Sequence, residues 1–90
     1  MTKVEIYTTA YCPYCIRAKS LLEKKGVTYT EYKVDHDNAL YEEMIERAKR
    51  TSVPQIFIND FHVGGCDDMF ILDISDELDA LLFPDKEDNK

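Results

Sequence analysis

Cys12 and Cys15 stand at the junction of two different hydrophobic patterns. Residues 4–8 alternate apolar and polar side chains as a β-strand does, and residues 14–25 carry the apolar stripe of an α-helix. Both thiols are therefore predicted to lie where a strand ends and a helix begins. A Cys-x-x-Cys pair in this setting indicates redox chemistry.

The rest of the chain continues the alternation of strands and helices. We predict a second strand over 28–34, a helix over 39–49, a strand over 55–58, a short strand over 61–63 after the turn Asn59-Asp60, and a helical region over 66–82 that is broken near 74–76. The order β-α-β-α-β-β-α predicts an α/β, thioredoxin-like fold, in which helices flank a four-stranded mixed sheet.

Local signals support the helix boundaries. Pro13 suits the first helical position, where its missing N–H costs nothing, and Gly26 is typical of a left-handed C-terminal cap. In the second helix, Glu43 with Arg47 and Glu46 with Arg50 are predicted to form pairs four residues apart.

Size and charge limit the classes of function. Ninety residues, 44% of them apolar, suffice for one domain, which we expect over 1–83 with a polar tail over 84–90. The start shows neither a signal region nor a membrane-spanning run, so we expect a cytoplasmic protein. A net charge of -7 without a cluster of basic residues disfavours nucleic acid as a partner. We expect a monomer.

The two thiols are predicted to have different roles. Unpaired N–H groups at a helix N-terminus favour the thiolate of Cys12, so we expect Cys12 to be the exposed nucleophile and Cys15, one turn inside, the less accessible resolving thiol. Tyr14 offers a ring and a hydroxyl beside the sulfurs. Arg17 either adds positive potential there or is an ordinary solvated helix residue.

A metal site is a less favoured interpretation of the cysteines. Cys12, Cys15, His62 and Cys66 contain zinc-ligand chemistry, but the gap from Cys15 to His62 exceeds that of compact zinc modules, so no metal is expected. His62 is expected to be an edge residue with ordinary solvation, and Cys66 to be a small buried hydrophobe.

Three separated stretches together resemble one family. Cys12 to Cys15, residues 52–58 and residues 64–68 resemble a glutaredoxin of the dithiol, bacterial type, and the resemblance spans 4–82. Taken singly, Gly64-Gly65 is also typical of a plain turn, and Asp67-Asp68 of ordinary charges at a helix N-terminus.

The resemblance implies glutathione as co-substrate and a cis bond before Pro54. It implies that the Val53 backbone pairs with the cysteinyl part of glutathione, that the segment around Asp67 holds the γ-glutamyl end, and that Arg50 meets the glycine carboxylate. The implied glutathione-binding residues are Tyr14, Arg50, Ser52, Val53, Pro54, Gly65, Cys66, Asp67 and Asp68.

Two positions depart from the family pattern. Thr9 stands where many members carry Lys, and Ser52 where many carry Thr. Because the tripeptide and this chain are both anionic, Arg50, Arg17 and the helix N-termini are expected to carry more of the attraction.

The activity that the resemblance implies is glutathione-dependent reduction of protein–glutathione mixed disulfides and of protein disulfides, such as that of ribonucleotide reductase. One alternative is an iron–sulfur carrier, in which two chains and two glutathiones hold a cluster; Pro13 and the second thiol disfavour it. Another is a thioredoxin-type reductant that receives electrons from a flavoprotein, which the absence of Trp before Cys12 disfavours.

Overall fold

The chain folds around a central sheet that carries helices on both faces. The computed structural model describes residues 2–83, so the predicted tail over 84–90 lies outside the described residues. The elements in order are β1 (Val4–Thr8), α1 (Pro13–Lys24), β2 (Thr30–Lys33), α2 (Asn38–Ala48), β3 (Gln55–Ile58), β4 (Phe61–Gly64), α3 (Cys66–Ile74) and α4 (Glu77–Leu82). The predicted order is confirmed, with the last helical region divided into two helices at a left-handed Asp76.

The sheet is mixed, as predicted, and its strand order is β2-β1-β3-β4. β1 pairs in parallel with β2 and antiparallel with β3, and β3 pairs antiparallel with β4. Because β1 lies inside the sheet with helices over both faces, all five of its residues are buried, including Glu5 and Tyr7. The alternation of residues 4–8 therefore marks the strand without marking a solvent-exposed face.

Two apolar clusters cover the two faces of the sheet. The larger one joins the sheet to α1, α3 and α4 and contains Val4, Ile6, Ala18, Leu21, Leu22, Ile56, Ile58, Val63, Cys66, Met69, Leu78 and Leu82. The smaller one joins it to α2 and contains Tyr7, Val34, Met44, Ala48 and Phe57.

Both ends of α1 have the predicted caps. Pro13 occupies the first helical position. At the other end Gly26 has a φ of 79°, its N–H donates to the Glu23 carbonyl at 3.0 Å, and the Val27 N–H donates to the Leu22 carbonyl at 3.4 Å. These two bonds form the Schellman motif, which ends the helix and turns the chain toward β2.

The hairpin between β3 and β4 turns without glycine. Asn59 and Asp60 have φ angles of 50° and 69°, so both residues adopt the left-handed conformation that a two-residue type I′ turn requires. The predicted hairpin is confirmed, and it places Gly64 and the start of α3 beside the β3 edge.

The pairs predicted within α2 are wrong. The Arg47 guanidinium instead donates to the Glu5 carboxylate at 3.1 and 3.3 Å and to the Tyr7 hydroxyl at 2.8 Å. Arg50 turns away from Glu46 and donates to Asp68 at 3.0 Å. For Arg47 the physical reason is that Glu5 is only 4% exposed, and a buried carboxylate needs a cation far more than a solvated one does. For Arg50 the reason is that α2 ends at Ala48 and the left-handed Lys49 turns the chain, so Arg50 is outside the helix.

Glu5 is kept ionised by this arrangement. Burial by itself raises the pKa of Glu5, but the hydrogen bonds from Arg47 and from the Tyr32 hydroxyl outweigh burial and hold that pKa below its ordinary value. A group whose pKa is lower in the folded state stabilises the fold above its unfolded pKa and loses that contribution as the pH falls.

Replacing Arg47 with Met is expected to lower the free energy of unfolding at pH 7 by about 3 kcal/mol, because it leaves the Glu5 carboxylate buried without its cation. Urea unfolding at pH 7 and at acid pH measures this. The loss should shrink as the pH falls, because Glu5 that is buried without its cation becomes protonated above the ordinary glutamate pKa of about 4.3, whereas Glu5 of the parent becomes protonated only below it. The double variant Glu5→Leu/Arg47→Met should be more stable than Arg47→Met alone; a less stable double variant would contradict the assignment.

Candidate active site

Cys12 caps the N-terminus of α1 with its own sulfur. Its backbone is extended, and Cys12 Sγ accepts a hydrogen bond from the Cys15 N–H at 3.1 Å. The same sulfur lies 3.9 Å from the Val53 carbonyl oxygen, to which the thiol donates a long hydrogen bond. A sulfur that accepts an N–H at a helix N-terminus is in a setting that stabilises its anion.

The expectation of an exposed Cys12 is wrong. Cys12 is 8% exposed and Cys15 is 1% exposed. The reason is the capping geometry, which folds the Cys12 side chain back over the first turn of α1, while the loop at Val53 covers the sulfur from the other side. The relative order of the two thiols is as predicted, since Cys15 is the less accessible.

Cys15 is held in its protonated form. Burial, the hydrogen bond to Cys12 and the charge of Cys12 together raise the pKa of Cys15 to about 12, against smaller opposing effects of the Thr9 backbone and Lys19. The Cys15 thiol is therefore a hydrogen-bond donor to the Cys12 sulfur rather than a second competing nucleophile.

Arg17 lies over aromatic rings beside the thiols. Its guanidinium carbon is 6.0 Å from the centre of the Tyr14 ring and 5.7 Å from that of Phe70. It also counteracts in part the burial that raises the pKa of Cys66. Arg17 thus adds positive potential at Cys66, at the start of α3, while its side chain is exposed, so its predicted effect on Cys12 stays a prediction.

A cleft of about 190 Å³ opens beside Cys12, and the residues that the family resemblance implied line it. The Val53–Pro54 peptide bond on its wall is cis, as expected. The lining residues are Tyr14, Ser52, Val53, Pro54, Gly65, Cys66, Asp67 and Asp68. Arg50 stands outside this lining and reaches the cleft through its ion pair with Asp68.

Asp68 organises one wall of the cleft. Its carboxylate accepts a hydrogen bond from the Gly65 N–H at 2.9 Å and one from Arg50 at 3.0 Å. The hydrogen bond from the Gly65 N–H has the largest effect and that from Arg50 the next, and together they hold the pKa of Asp68 below its ordinary value. Gly64 makes room for this carboxylate, because its φ is 117° and a Cβ there would lie 2.3 Å from Asp68 Oδ2.

The first turn of α3 leaves polar groups open to the cleft. Cys66 and Asp67 occupy the first two helical positions, so their N–H groups have no partner within the helix. Cys66 is 4% exposed, which confirms the expectation of a small buried hydrophobe, and burial raises the pKa of its thiol. The Asp67 side chain is exposed, and within residues 2–83 no cation lies within 4 Å of its carboxylate.

The sequence did not single out Gln55, which supports the loop at the cleft. Gln55 is fully buried, and its Nε2 donates to the Ser52 carbonyl at 3.0 Å. Its Oε1 lies 2.7 Å from His62 Nε2, and the His62 ring stacks on Phe57 with 4.9 Å between centroids. His62 is therefore partly buried, not ordinarily solvated, and burial lowers its pKa.

The zinc set considered from the sequence does not assemble. In the described part of the chain, no three His, Cys, Asp or Glu side chains are grouped closely enough to hold a metal ion. Within the same residues, no helix combines the length and the apolar character needed to cross a membrane.

Comparisons with known proteins agree on one family. A family model described as Glutaredoxin matches residues 4–63. Glutaredoxin 3 of Escherichia coli strain K12 is 56% identical over 82 residues, which cover 91% of this chain and 99% of that protein. The solution structure of glutaredoxin from Brucella melitensis is 49% identical, with a TM-score of 0.80 and coverage of 91% of this chain and 89% of that one. The crystal structure of the buckwheat glutaredoxin–glutathione complex is 26% identical, with a TM-score of 0.84 and coverage of 92% and 78%.

Alkylation with iodoacetamide at pH 7 should modify Cys12 at least roughly a hundredfold faster than Cys15 or Cys66, because only a thiolate reacts and the other two thiols are kept protonated by burial. Mass spectrometry of peptides after timed quenching measures each cysteine separately. The Cys12→Ser variant is the control, and its two remaining thiols should stay slow. Equal rates at Cys12 and Cys15 would show that the cap does not distinguish them.

Proposed function

The chain belongs to the glutaredoxin family and is a glutathione-dependent thiol–disulfide oxidoreductase, and we propose that Cys12 is its nucleophile and Cys15 its resolving thiol. The observation that carries this assignment is the cap of α1, where the Cys12 sulfur accepts the Cys15 N–H beside the cleft. A helix N-terminus favours an anion, and the Val53 residue whose carbonyl Cys12 contacts lies on the wall of the cleft.

In the first step, the Cys12 thiolate attacks the glutathione sulfur of a protein–glutathione mixed disulfide. The bond between the two substrate sulfurs breaks, a disulfide between Cys12 and glutathione forms, and the protein leaves as a thiolate that takes a proton from solvent. A second glutathione, as thiolate, then attacks the glutathione sulfur held on Cys12. Oxidised glutathione leaves, and the Cys12 thiolate is regenerated, so electrons balance at two per cycle.

Protein disulfides use Cys15 as well. Cys12 attacks one sulfur of the substrate, and Cys15 then attacks Cys12 to release the reduced protein and close an internal disulfide. The environment of Cys15 suits this order, because two of the effects that raise its pKa are the hydrogen bond to Cys12 and the charge of Cys12. Both effects end when Cys12 enters a mixed disulfide, so Cys15 becomes easier to ionise when it is needed.

The cleft beside Cys12 is our proposed glutathione site. In this site the Val53 backbone would pair with the cysteinyl unit, and the N–H groups at the start of α3 would bind the γ-glutamyl carboxylate; the presence of both segments in the cleft lining supports this. The exposed Asp67 carboxylate suits the ammonium group, and Arg50 suits the glycine carboxylate. Tyr14, Ser52, Pro54, Gly65, Cys66 and Asp68 complete the site.

The biological setting is also a proposal. We expect the substrates to be glutathionylated proteins and disulfide-containing proteins such as ribonucleotide reductase, and we expect the chain to act as a monomer in the cytoplasm, where thiols stay reduced. Residues 1–83 would form one domain, with residues 84–90 as its polar tail. The charge of -7 disfavours a nucleic-acid partner.

Cys12→Ser should lose at least roughly a hundredfold of kcat/KM in steady-state reduction of a glutathionylated peptide, because it removes the nucleophile. Cys15→Ser should keep most of that activity, because this reaction needs only one thiol. The assay couples glutathione and glutathione reductase to NADPH consumption.

The matched measurement is reduction of a protein disulfide by the same variants, where Cys15→Ser should lose most of its rate. Retained deglutathionylation by Cys12→Ser would overturn the assignment of the nucleophile. Equal loss in both variants on the glutathionylated peptide would overturn the division of roles.

Gly64→Ala should raise the KM for a glutathionylated peptide roughly tenfold, because the new Cβ displaces the Asp68 carboxylate, which then no longer bonds to the Gly65 N–H. Gly26→Ala is the control, because Gly26 also has a positive φ but has no atom within 4 Å of a Cβ. Gly26→Ala should lose about 1–2 kcal/mol of unfolding free energy, and Gly64→Ala should lose more, because the contact with Asp68 adds to the backbone strain; only Gly64→Ala should change KM. A similar KM in the two variants would count against the role of Asp68.

A further inference from the structure

A second groove lies between α1 and α3, and the proposed catalytic cycle does not use it. It has a volume of about 390 Å³ and is lined by Ile16, Arg17, Ser20, Leu21, Lys24 and Phe70. Leu21 and Phe70 give it an apolar floor; Leu21 is nearly buried, whereas Ile16 on the rim is 59% exposed. Ile16 and the apolar floor together form a concave surface whose apolar area would be removed from water if another chain packed there.

The charges at this groove are opposite to the charge of the protein. The chain carries -7 overall, but the charged residues that line the groove are two cations, Arg17 and Lys24. Most other cations of residues 2–83 are neutralised; Lys19, Lys25, Arg47 and Arg50 each have a carboxylate within 4 Å. In the same part of the chain, no carboxylate lies that close to Arg17 or Lys24. The groove therefore favours an acidic occupant.

The groove is continuous with the active site. Arg17 forms its near end and lies over both the Phe70 ring in the groove and the Tyr14 ring in the cleft. Along α1, Lys24 lies about 18 Å from Cys12 at 1.5 Å per residue. An extended chain covers that distance in about five to six residues.

We propose that this groove binds a segment of the protein substrate that combines acidic and apolar side chains and lies within about six residues of the substrate cysteine. This inference rests on the proposed function, because the substrate cysteine must be at Cys12 while its flanking segment lies along α1. Carboxylates two to three residues and five to six residues from the cysteine would meet Arg17 and Lys24, and apolar side chains between them would pack on Phe70 and Leu21. The groove would thus select among glutathionylated proteins.

The test compares three kinds of substrate in the glutathione-coupled assay at physiological salt. Two are glutathionylated peptides with a six-residue flank of alternating leucine and either glutamate or lysine, each made with the flank before or after the cysteine. The third is the mixed disulfide of glutathione with 2-mercaptoethanol, which is too small to reach the groove. The parent should prefer the acidic peptide in one of the two flank directions.

Lys24→Glu should lower kcat/KM for the acidic peptide roughly three- to tenfold, because attraction becomes repulsion. It should raise kcat/KM for the basic peptide, because repulsion becomes attraction. The small substrate should be unaffected, because Lys24 is farther from Cys12 than the screening length of about 8 Å. The control is Lys33→Glu, which changes the net charge equally at an exposed residue on β2 outside the groove. It should not change the ratio between the two peptides.

Ile16→Ser tests the apolar part of the groove, with Ile71→Ser as its control at a residue of similar exposure outside the groove. Ile16→Ser should lower kcat/KM for both peptides severalfold through KM, and Ile71→Ser should not. The proposal would be overturned if the ratio of kcat/KM between the acidic and the basic peptide were the same in Lys24→Glu and Lys33→Glu. Equal effects of the two isoleucine variants on kcat/KM would overturn it as well.

Other occupants give different results. If removal of residues 84–90 raises kcat/KM for the acidic peptide and abolishes the effect of Lys24→Glu, the groove binds the tail of this chain, and the proposal is wrong. If sedimentation shows a dimer that Lys24→Glu or Ile16→Ser dissociates, the groove binds a second copy, and the proposal is again wrong. Failure of the proposed function is distinct, because the parent would then reduce neither the peptides nor the small mixed disulfide.

Discussion

The hydrogen bond from the Cys15 N–H to the Cys12 sulfur is the contact on which the chemistry of this structure depends. It requires that the inner strand β1 end at Thr8 and that α1 begin a few residues later, with Pro13 at its first position. It puts one thiol at the N-terminus of a helix and the other behind it in the core. A single local geometry thereby puts two identical side chains in different settings: the Cys12 sulfur accepts an N–H at a helix N-terminus, whereas burial and the neighbouring Cys12 keep the Cys15 thiol protonated.

A series of contacts on the α2 side of the sheet supports the wall that faces this cap. Arg47 neutralises the buried Glu5 and stacks on Phe57 at 4.0 Å, and Phe57 in turn stacks on His62. His62 bonds to Gln55, and Gln55 bonds to the Ser52 carbonyl in the loop that carries Val53. Each polar group in this series is buried or half-buried and has a partner, so the series is rigid. The position of the loop over Cys12 is therefore tied to the core of the sheet.

The cations on the surface of this acidic protein differ in whether a carboxylate lies beside them. Where a cation pairs with a carboxylate, as Lys25 does with Asp73 and Asp79, it joins α1 to α3 and α4. Where a cation has no such partner, as at Arg17 and Lys24, it leaves positive potential along the groove between α1 and α3. Because the net charge repels anionic ligands at long range, we expect these local cations and the N-termini of α1 and α3 to determine where the proposed anionic ligands approach.

Local patterns were enough to predict the elements, their order, the caps of α1, the hairpin and the place of Cys12 and Cys15, because hydrophobic period and turn chemistry act over a few residues. The family resemblance added the cis bond at Pro54 and the lining of the cleft. Only the tertiary structure decided that Cys12 is covered, that Arg47 pairs with Glu5 rather than Glu43, and that Gly64 must lack a side chain because Asp68 lies against it. These features depend on groups far apart in the chain, and desolvation in the core, which no local pattern encodes, selects their partners.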